Sequence, residues 1–133
     1  MWRRSDDQII RALVLALCLF CFGCSRRLQD DRVAGTYVAE ADWGTSTLIL
    51  KTDHTFEQSV ATKSGVLKKI NGQWELNSSG SGNSIAFSPK YLGVTHDKKG
   101  VESDGAFASV DSSLLGTVEI SADPDYGIVF KKK

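Results

Sequence analysis

The residues of this chain best equipped to form a covalent bond are three cysteines, Cys18, Cys21 and Cys24, all within the first two dozen positions. A cysteine thiolate is a strong nucleophile and a soft metal ligand. With no cysteine after residue 24, the rest of the chain cannot form an internal disulfide. Cys18 and Cys21 sit among apolar neighbours, where a cysteine behaves as a small hydrophobe. Cys24 stands where that apolar run meets Ser25-Arg26-Arg27, and it is the thiol placed to react. The other chemistry-bearing residues are scattered. His54 and His96 are far apart, lack a third ligand at metal-site spacing, and read as surface histidines. Asp123-Pro124-Asp125-Tyr126-Gly127 alternates carboxylates as a calcium loop does, but it lacks the further ligands and reads as a proline turn. No serine lies in G-x-S-x-G, and Gly80-Ser81-Gly82 is not followed by the Lys-Ser or Lys-Thr of a phosphate loop. The expectation is a protein that is not an enzyme and holds no metal or cofactor.

What must position Cys24 is the segment before it. Arg3, Arg4 and Arg11 precede an apolar run from Ala12 to Phe22, which stops at Gly23-Cys24. About a dozen apolar residues suit the core of an export signal and fall short of the roughly 20 that cross a bilayer as a helix. Residues 1–23 are therefore expected to be a signal peptide, with cleavage after Gly23 and a working location in the cell envelope. Two alternatives stay open. Cys21-Phe22-Gly23 has the small-x-small character of an ordinary signal-peptidase site, which would release an unlipidated secreted form at the same bond. An uncleaved anchor would need Arg11 to snorkel towards the headgroups.

The junction Cys21-Phe22-Gly23-Cys24-Ser25 resembles the lipobox of bacterial lipoproteins. That family usually has Leu three residues before the cysteine and a small residue two before, where this chain has Cys21 and Phe22. The resemblance implies that the Cys24 thiol carries diacylglycerol, that Gly23 precedes the cut, and that the new amino terminus is acylated, with palmitate as one such chain. A single acyl chain holds a protein marginally, at about 0.8 kcal/mol per buried methylene, while two or more hold it stably. Ser25, where inner-membrane members carry Asp, implies the outer membrane, facing the periplasm, in a Gram-negative host.

Removing residues 1–23 takes away Arg3, Arg4, Arg11, Asp6 and Asp7, which leaves 13 basic against 14 acidic residues. A balanced surface argues against a nucleic-acid partner, whose phosphates need concentrated positive charge. Lys131-Lys132-Lys133 is a basic tip that could touch anionic lipid, with a solvated strand end as the plainer reading. Residues 24–32 are expected to be the attachment site and a short tether. Residues 33–133 are enough for one core and one domain.

Patterning after residue 32 has the period of strands. Leu48 and Leu50 share one face, Phe56 and Val60 another with Gln58 interrupting, and Trp74 and Leu76 a third. Asp53-His54 separates the first two as a turn, and Asn77 to Asn83 reads as a long flexible hairpin loop. Strands are further expected at Ser84 to Ser88, Lys90 to Thr95, Ala106 to Val110, Gly116 to Ala122 and Gly127 to Lys132. No segment sustains a helical period with caps. The fold class that follows is all-β: a small antiparallel meander of about eight strands, closed or partly open as a barrel.

Gly35-Thr36-Tyr37, Leu48-Ile49-Leu50, Asp53-His54-Thr55-Phe56 and Gly72-Gln73-Trp74-Glu75-Leu76 together resemble the opening of small bacterial lipocalin-like envelope domains, over residues 33–77. The family has Trp where this chain has Tyr37. That resemblance implies a carrier of a small apolar ligand, an alternative to an envelope protein that works by binding a protein partner. Trp43, Tyr91 and Tyr126 are the candidate contacts for either, since large rings in loops must cover a barrel end or touch something else. Tyr37, Leu48, Leu50, Phe56, Trp74 and Leu76 are expected to fill the interior, leaving little room for a guest.

Overall fold

A computed structural model describes residues 27–95, 97–113, 115–123 and 128–133. One helical turn, α1 (Asp30–Val33), precedes eight strands: β1 (Gly35–Ala41), β2 (Gly44–Leu50), β3 (Thr55–Thr62), β4 (Gly65–Ser79), β5 (Gly82–Leu92), β6 (Glu102–Ser112), β7 (Val118–Asp123) and β8 (Ile128–Lys132). Each strand pairs antiparallel with the next and β8 returns to β1, so the meander closes into a barrel. The all-β, eight-stranded expectation is met in its closed form.

Alternation sends one face of each strand inward. Tyr37 and Ala39 of β1, Leu48 and Leu50 of β2, Phe56 and Val60 of β3, Ile85 and Phe87 of β5, Val110 of β6, Ile120 of β7 and Phe130 of β8 are all buried. Phe56 meets Phe87 edge to face at 5.1 Å between centroids, and Phe87 meets Tyr91 at 5.1 Å. Of the expected interior set, Tyr37, Leu48, Leu50, Phe56 and Trp74 are buried, and Leu76 packs half-buried against them.

The connections are tighter than composition suggests. Asn77 to Asn83 is not a long loop, because the ladder pairs Asn77 with Ser84, Ser78 with Asn83 and Ser79 with Gly82. Only Gly80 and Ser81 make the turn, closed by Ser79 Oγ at 2.8 Å from Ser81 Oγ. Small polar side chains facing solvent leave backbone pairing intact, so loop-like composition misleads there. The expected strands Ser84 to Ser88 and Lys90 to Thr95 are one strand, β5, whose register shifts between Phe87 and Lys90. Pro89 has no N–H to give the ladder, which places the irregularity there. Thr95 lies beyond that strand, in a loop folded back on itself by Gly93 N–H to Val101 O at 2.8 Å and Gly100 N–H to Gly93 O at 2.9 Å. β4 begins seven residues earlier than the Gly72 strand expected from its apolar pair, because its first half, with Lys68 and Lys69, is exposed. There Leu67 is the extra residue of a bulge, since Val60 pairs with Lys68 and Ala61 with Val66.

One close approach explains a glycine. A Cβ at Gly72 would lie 2.3 Å from Ser88 O and 2.8 Å from the Phe56 ring, so β4 can cross that corner only without a side chain.

Candidate functional site

Hairpin turns alternate between the two ends of the barrel, and the ends differ in chemistry. One end carries the chain's entry, α1, the β2–β3, β4–β5 and β6–β7 turns and the end of β8. The other carries the β1–β2 and β3–β4 turns and the β5–β6 loop.

At the entry end the chain joins the core at Leu28, which is buried although it lies in the segment expected to be a tether. Arg27, Leu28, Gln29 and Asp30 border a groove with Leu76 and Ser78 of β4. Tyr37 OH donates to Val33 O at 2.5 Å and so fastens the last turn of α1 to β1. Burial raises the Tyr37 phenol to about 12. Lys132 Nζ donates to Arg32 O at 2.7 Å and lies 5.8 Å from the Tyr37 ring centroid. Burial, then the Arg32 charge, lower the proton affinity of Lys132, against a smaller rise from Asp31. Lys132 is thus a clamp between α1 and β8 as well as part of a basic tip.

His54 occupies the β2–β3 turn with φ +65°, the left-handed conformation needed to reverse the chain there. Asp53 Oδ1 accepts from the Thr55 hydroxyl at 2.5 Å and from the Thr55 N–H at 2.9 Å, which steadies the turn and, through the hydroxyl first, holds the Asp53 carboxyl below its ordinary range. The imidazole stacks on Trp74 at 4.9 Å, its Nδ1 lies 3.3 Å from Trp74 O, and its Nε2 lies 3.3 Å from Asp30 Oδ2. Trp74 Nε1 donates to Lys51 O at 3.0 Å. His54 is therefore a packed turn residue tying α1 to β4. Among the described residues no group of three or more His, Cys, Asp or Glu could hold a metal.

At the far end, Trp43 occupies the two-residue turn between Ala41 and Gly44 and packs half-buried against the core. Its Nε1 and the Oγ1 of buried Thr95 have no hydrogen-bond partner among the described residues. Tyr91 is buried, with its ring on Phe87, so it is not an exposed surface ring. Trp43 and Tyr91 both face the core. Gly23, Cys24, His96, Asp125 and Tyr126 lie outside the described residues.

Two features were missed by pattern alone. Gln58, which interrupts the apolar face of β3, is buried. Its Nε2 donates to Leu92 O at 2.9 Å and its Oε1 accepts the Leu92 N–H at 2.8 Å. That pair holds the end of β5 across the interior, where β5 has left β4. The second is a patch of apolar side chains outside the barrel. Val66, Leu67 and Val101 are more than half exposed, and a side chain at Gly100 would touch Leu67 Cβ at 3.8 Å. The Lys68 to Glu102 ion pair, at 2.7 Å, bridges β4 to β6 beside it. Two apolar residues in a row at Val66-Leu67, ahead of the strand expected from Gly72, were the available signal.

No protein-family description matches the chain, and searches of curated proteins and of solved structures found no match either.

Proposed function

We propose that this is a cell-envelope protein anchored by lipid on Cys24 that acts through its outer surface, by binding or structural interaction with another envelope component. The observation that carries the reading is the placement of apolar surface. The barrel axis is taken up by Trp74, Tyr37, Phe56, Phe87 and Phe130, each with at most 2% of its surface exposed, while three of the five exposed large apolar side chains described, Val66, Leu67 and Val101, gather outside at the end away from the chain's entry, with Phe107 and Leu115 exposed singly elsewhere. Apolar side chains grouped at one end of a small domain suit a protein partner. Anchoring through residue 24 would turn that end away from the bilayer and towards such a partner.

The carrier reading is favoured by Trp43 Nε1 and Thr95 Oγ1, which lack a partner among the described residues and which a guest with a hydrogen-bond acceptor would satisfy. The eight-stranded meander agrees with the lipocalin-like resemblance of residues 33–77 but speaks to fold alone.

Intact mass of wild type and Cys24→Ala from membranes of a lipoprotein-competent host tests the anchor. The expected wild-type chain begins at residue 24 with added mass of several acyl chains that the variant lacks. A photo-reactive residue at Val101 then tests the surface. It is expected to give one discrete cross-link in the envelope that Leu67→Asp abolishes, with tryptophan emission indifferent to apolar probes. A saturable response of Trp43 or Trp74 emission to such a probe would transfer the conclusion to a carrier.

A further inference from the structure

We propose that the outer face of β2, β3 and β4 carries a binding site for a neutral glycan, seated in a groove between Thr47, Ile49, Glu57, Ser59, Lys69 and Asn71. This goes beyond the protein-partner reading and uses none of the residues of the apolar patch.

The register of the three strands builds the groove. Thr47 pairs with Ser59 and Ser59 with Lys69, while Ile49 pairs with Glu57 and Glu57 with Asn71. Alternation turns these side chains outward, since their neighbours Leu48 and Gln58 are buried in the interior. Ser59, the smallest of the six, stands in the middle of its row, so longer side chains on both neighbouring strands wall a hollow of about 300 Å³. Small-molecule sites run from about 300 to 1,000 Å³, so this one suits a short sugar segment.

Hydrogen-bonding capacity in the groove is unspent. Among the described residues no hydrogen bond or ion pair engages the side chains of Thr47, Ser59, Lys69 or Asn71. Glu57 is held by Lys51 on one carboxylate oxygen, which leaves the other to accept. Two hydroxyls, an amide, a carboxylate and an ammonium thus offer donors and acceptors side by side. Each hydroxyl of a sugar ring both donates and accepts, and only a mixed set of this kind satisfies several at once. Thr47, Ser59 and Asn71 are short and stand on paired strands, so ordering them on a ligand costs little rotamer freedom.

Charge and apolar surface narrow the occupant. The Glu57 carboxylate, in register between Ile49 and Asn71, opposes an anionic ligand, and Lys69 beside Ser59 opposes a cationic one. A neutral ligand meets neither repulsion. Ile49, half-buried, is the apolar wall and suits the C–H face of a sugar ring. A protein partner would call for a large aromatic or arginine anchor, and the groove is lined by none.

The test titrates the full chain, in dodecylphosphocholine micelles, with maltotriose and separately with tri-N-acetylchitotriose, and follows backbone amide shifts by NMR. Saturable shifts centred on Thr47, Ser59 and Asn71 are expected with at least one of the two, at a dissociation constant of about 1 mM. Preference for the acetylated sugar would place an acetamido group on Asn71, and preference for maltotriose a hydroxyl; either supports the site. Thr47→Val and Asn71→Ala should each weaken binding about fivefold. Ser59→Tyr fills the hollow from an outward strand position and should abolish binding with the thermal midpoint kept; if that variant does not fold, the two conservative ones carry the test. Leu67→Asp should leave sugar binding unchanged, so loss of a protein partner and loss of the glycan are read apart. Absence of a saturable shift with both sugars overturns the site, as do shifts centred on another part of the barrel. Binding that survives Ser59→Tyr overturns it too, and tighter binding of a hexuronate trimer than of either neutral sugar overturns the ligand class.

Discussion

Tyr37 shows how one side chain can join a helix turn, a strand and a pH limit. Its ring is fully buried and its hydroxyl donates to the Val33 carbonyl, which the end of α1 leaves without an intrahelical partner. Burial disfavours the phenolate and raises the group from 10.0 to about 12. The folded chain thus retains this proton at a pH where the unfolded chain has lost it. The sign follows from linkage: the contribution is fully present below pH 10 and is lost as the pH rises towards 12. Two units correspond to about 2–3 kcal/mol. Urea midpoints measured from pH 8 to 12 are expected to fall more steeply for wild type than for Tyr37→Phe, which keeps the ring and has no proton to lose. Parallel slopes for the two proteins would show that Tyr37 does not set the alkaline limit.

Between elements, Gln58 performs the task that backbone pairing performs elsewhere. β4 pairs with β5 from Gln73 to Ser79, but above Ser88 β5 departs and β4 continues along β3 alone. The Gln58 amide reaches from β3 to Leu92, offering the donor and the acceptor that a neighbouring strand would have supplied. Gln58→Leu should therefore leave the Leu92 N–H and C=O buried without partners. An apolar isostere in the core usually helps, yet here the expected change is a loss of about 2–4 kcal/mol, from two unsatisfied backbone groups. A thermal midpoint unchanged from wild type would contradict it. The same residue shows where sequence is legible and where it is not. Leu48, Leu50, Phe56 and Trp74 declare the barrel interior because alternation is local and each apolar residue satisfies itself by burial. Gln58 breaks that alternation because its partner lies 34 residues away, and no local pattern encodes such a distance. Lys68 and Lys69 conceal half of β4 for a related reason: residues 65–69 are exposed on both faces, and such a stretch carries no period. The candidate site was legible only as residue types. Trp43 and Tyr91 could be named as rings of interest, but their turn from solvent towards the core is decided by the β1–β2 turn and the bend of β5.

At the scale of the molecule, closure is the last and thinnest contribution to the fold. The ladders β1–β2 and β2–β3 each hold seven register pairs, whereas β1 meets β8 through Tyr37↔Lys132 and Val38↔Lys131 alone. Lys133 N–H to Thr36 O and the Lys132 amine on Arg32 O extend that seam towards α1. Beyond Val38 the two strands run beside a groove lined by Val38, Glu40, Val129 and Lys131, and Glu40 and Val129 are not paired across it. A meander gains most of its contacts between sequential neighbours, so β2 to β6 can form before the ends of the chain meet. Closure then depends on a few hydrogen bonds and on Phe130, buried from β8. Native-state hydrogen exchange should rank accordingly, with seam amides at Val38 and Lys131 exchanging well before those of β3 and β4 near Phe56 and Trp74. Removing residues 131–133 deletes the seam pairs and the Lys132 clamp while leaving Phe130, and it is expected to cost about 2–4 kcal/mol by the net value of the hydrogen bonds lost. If exchange at the seam instead matches the centre of the barrel, closure is part of the cooperative core and not its final step, and the truncated chain should then fail to fold at all.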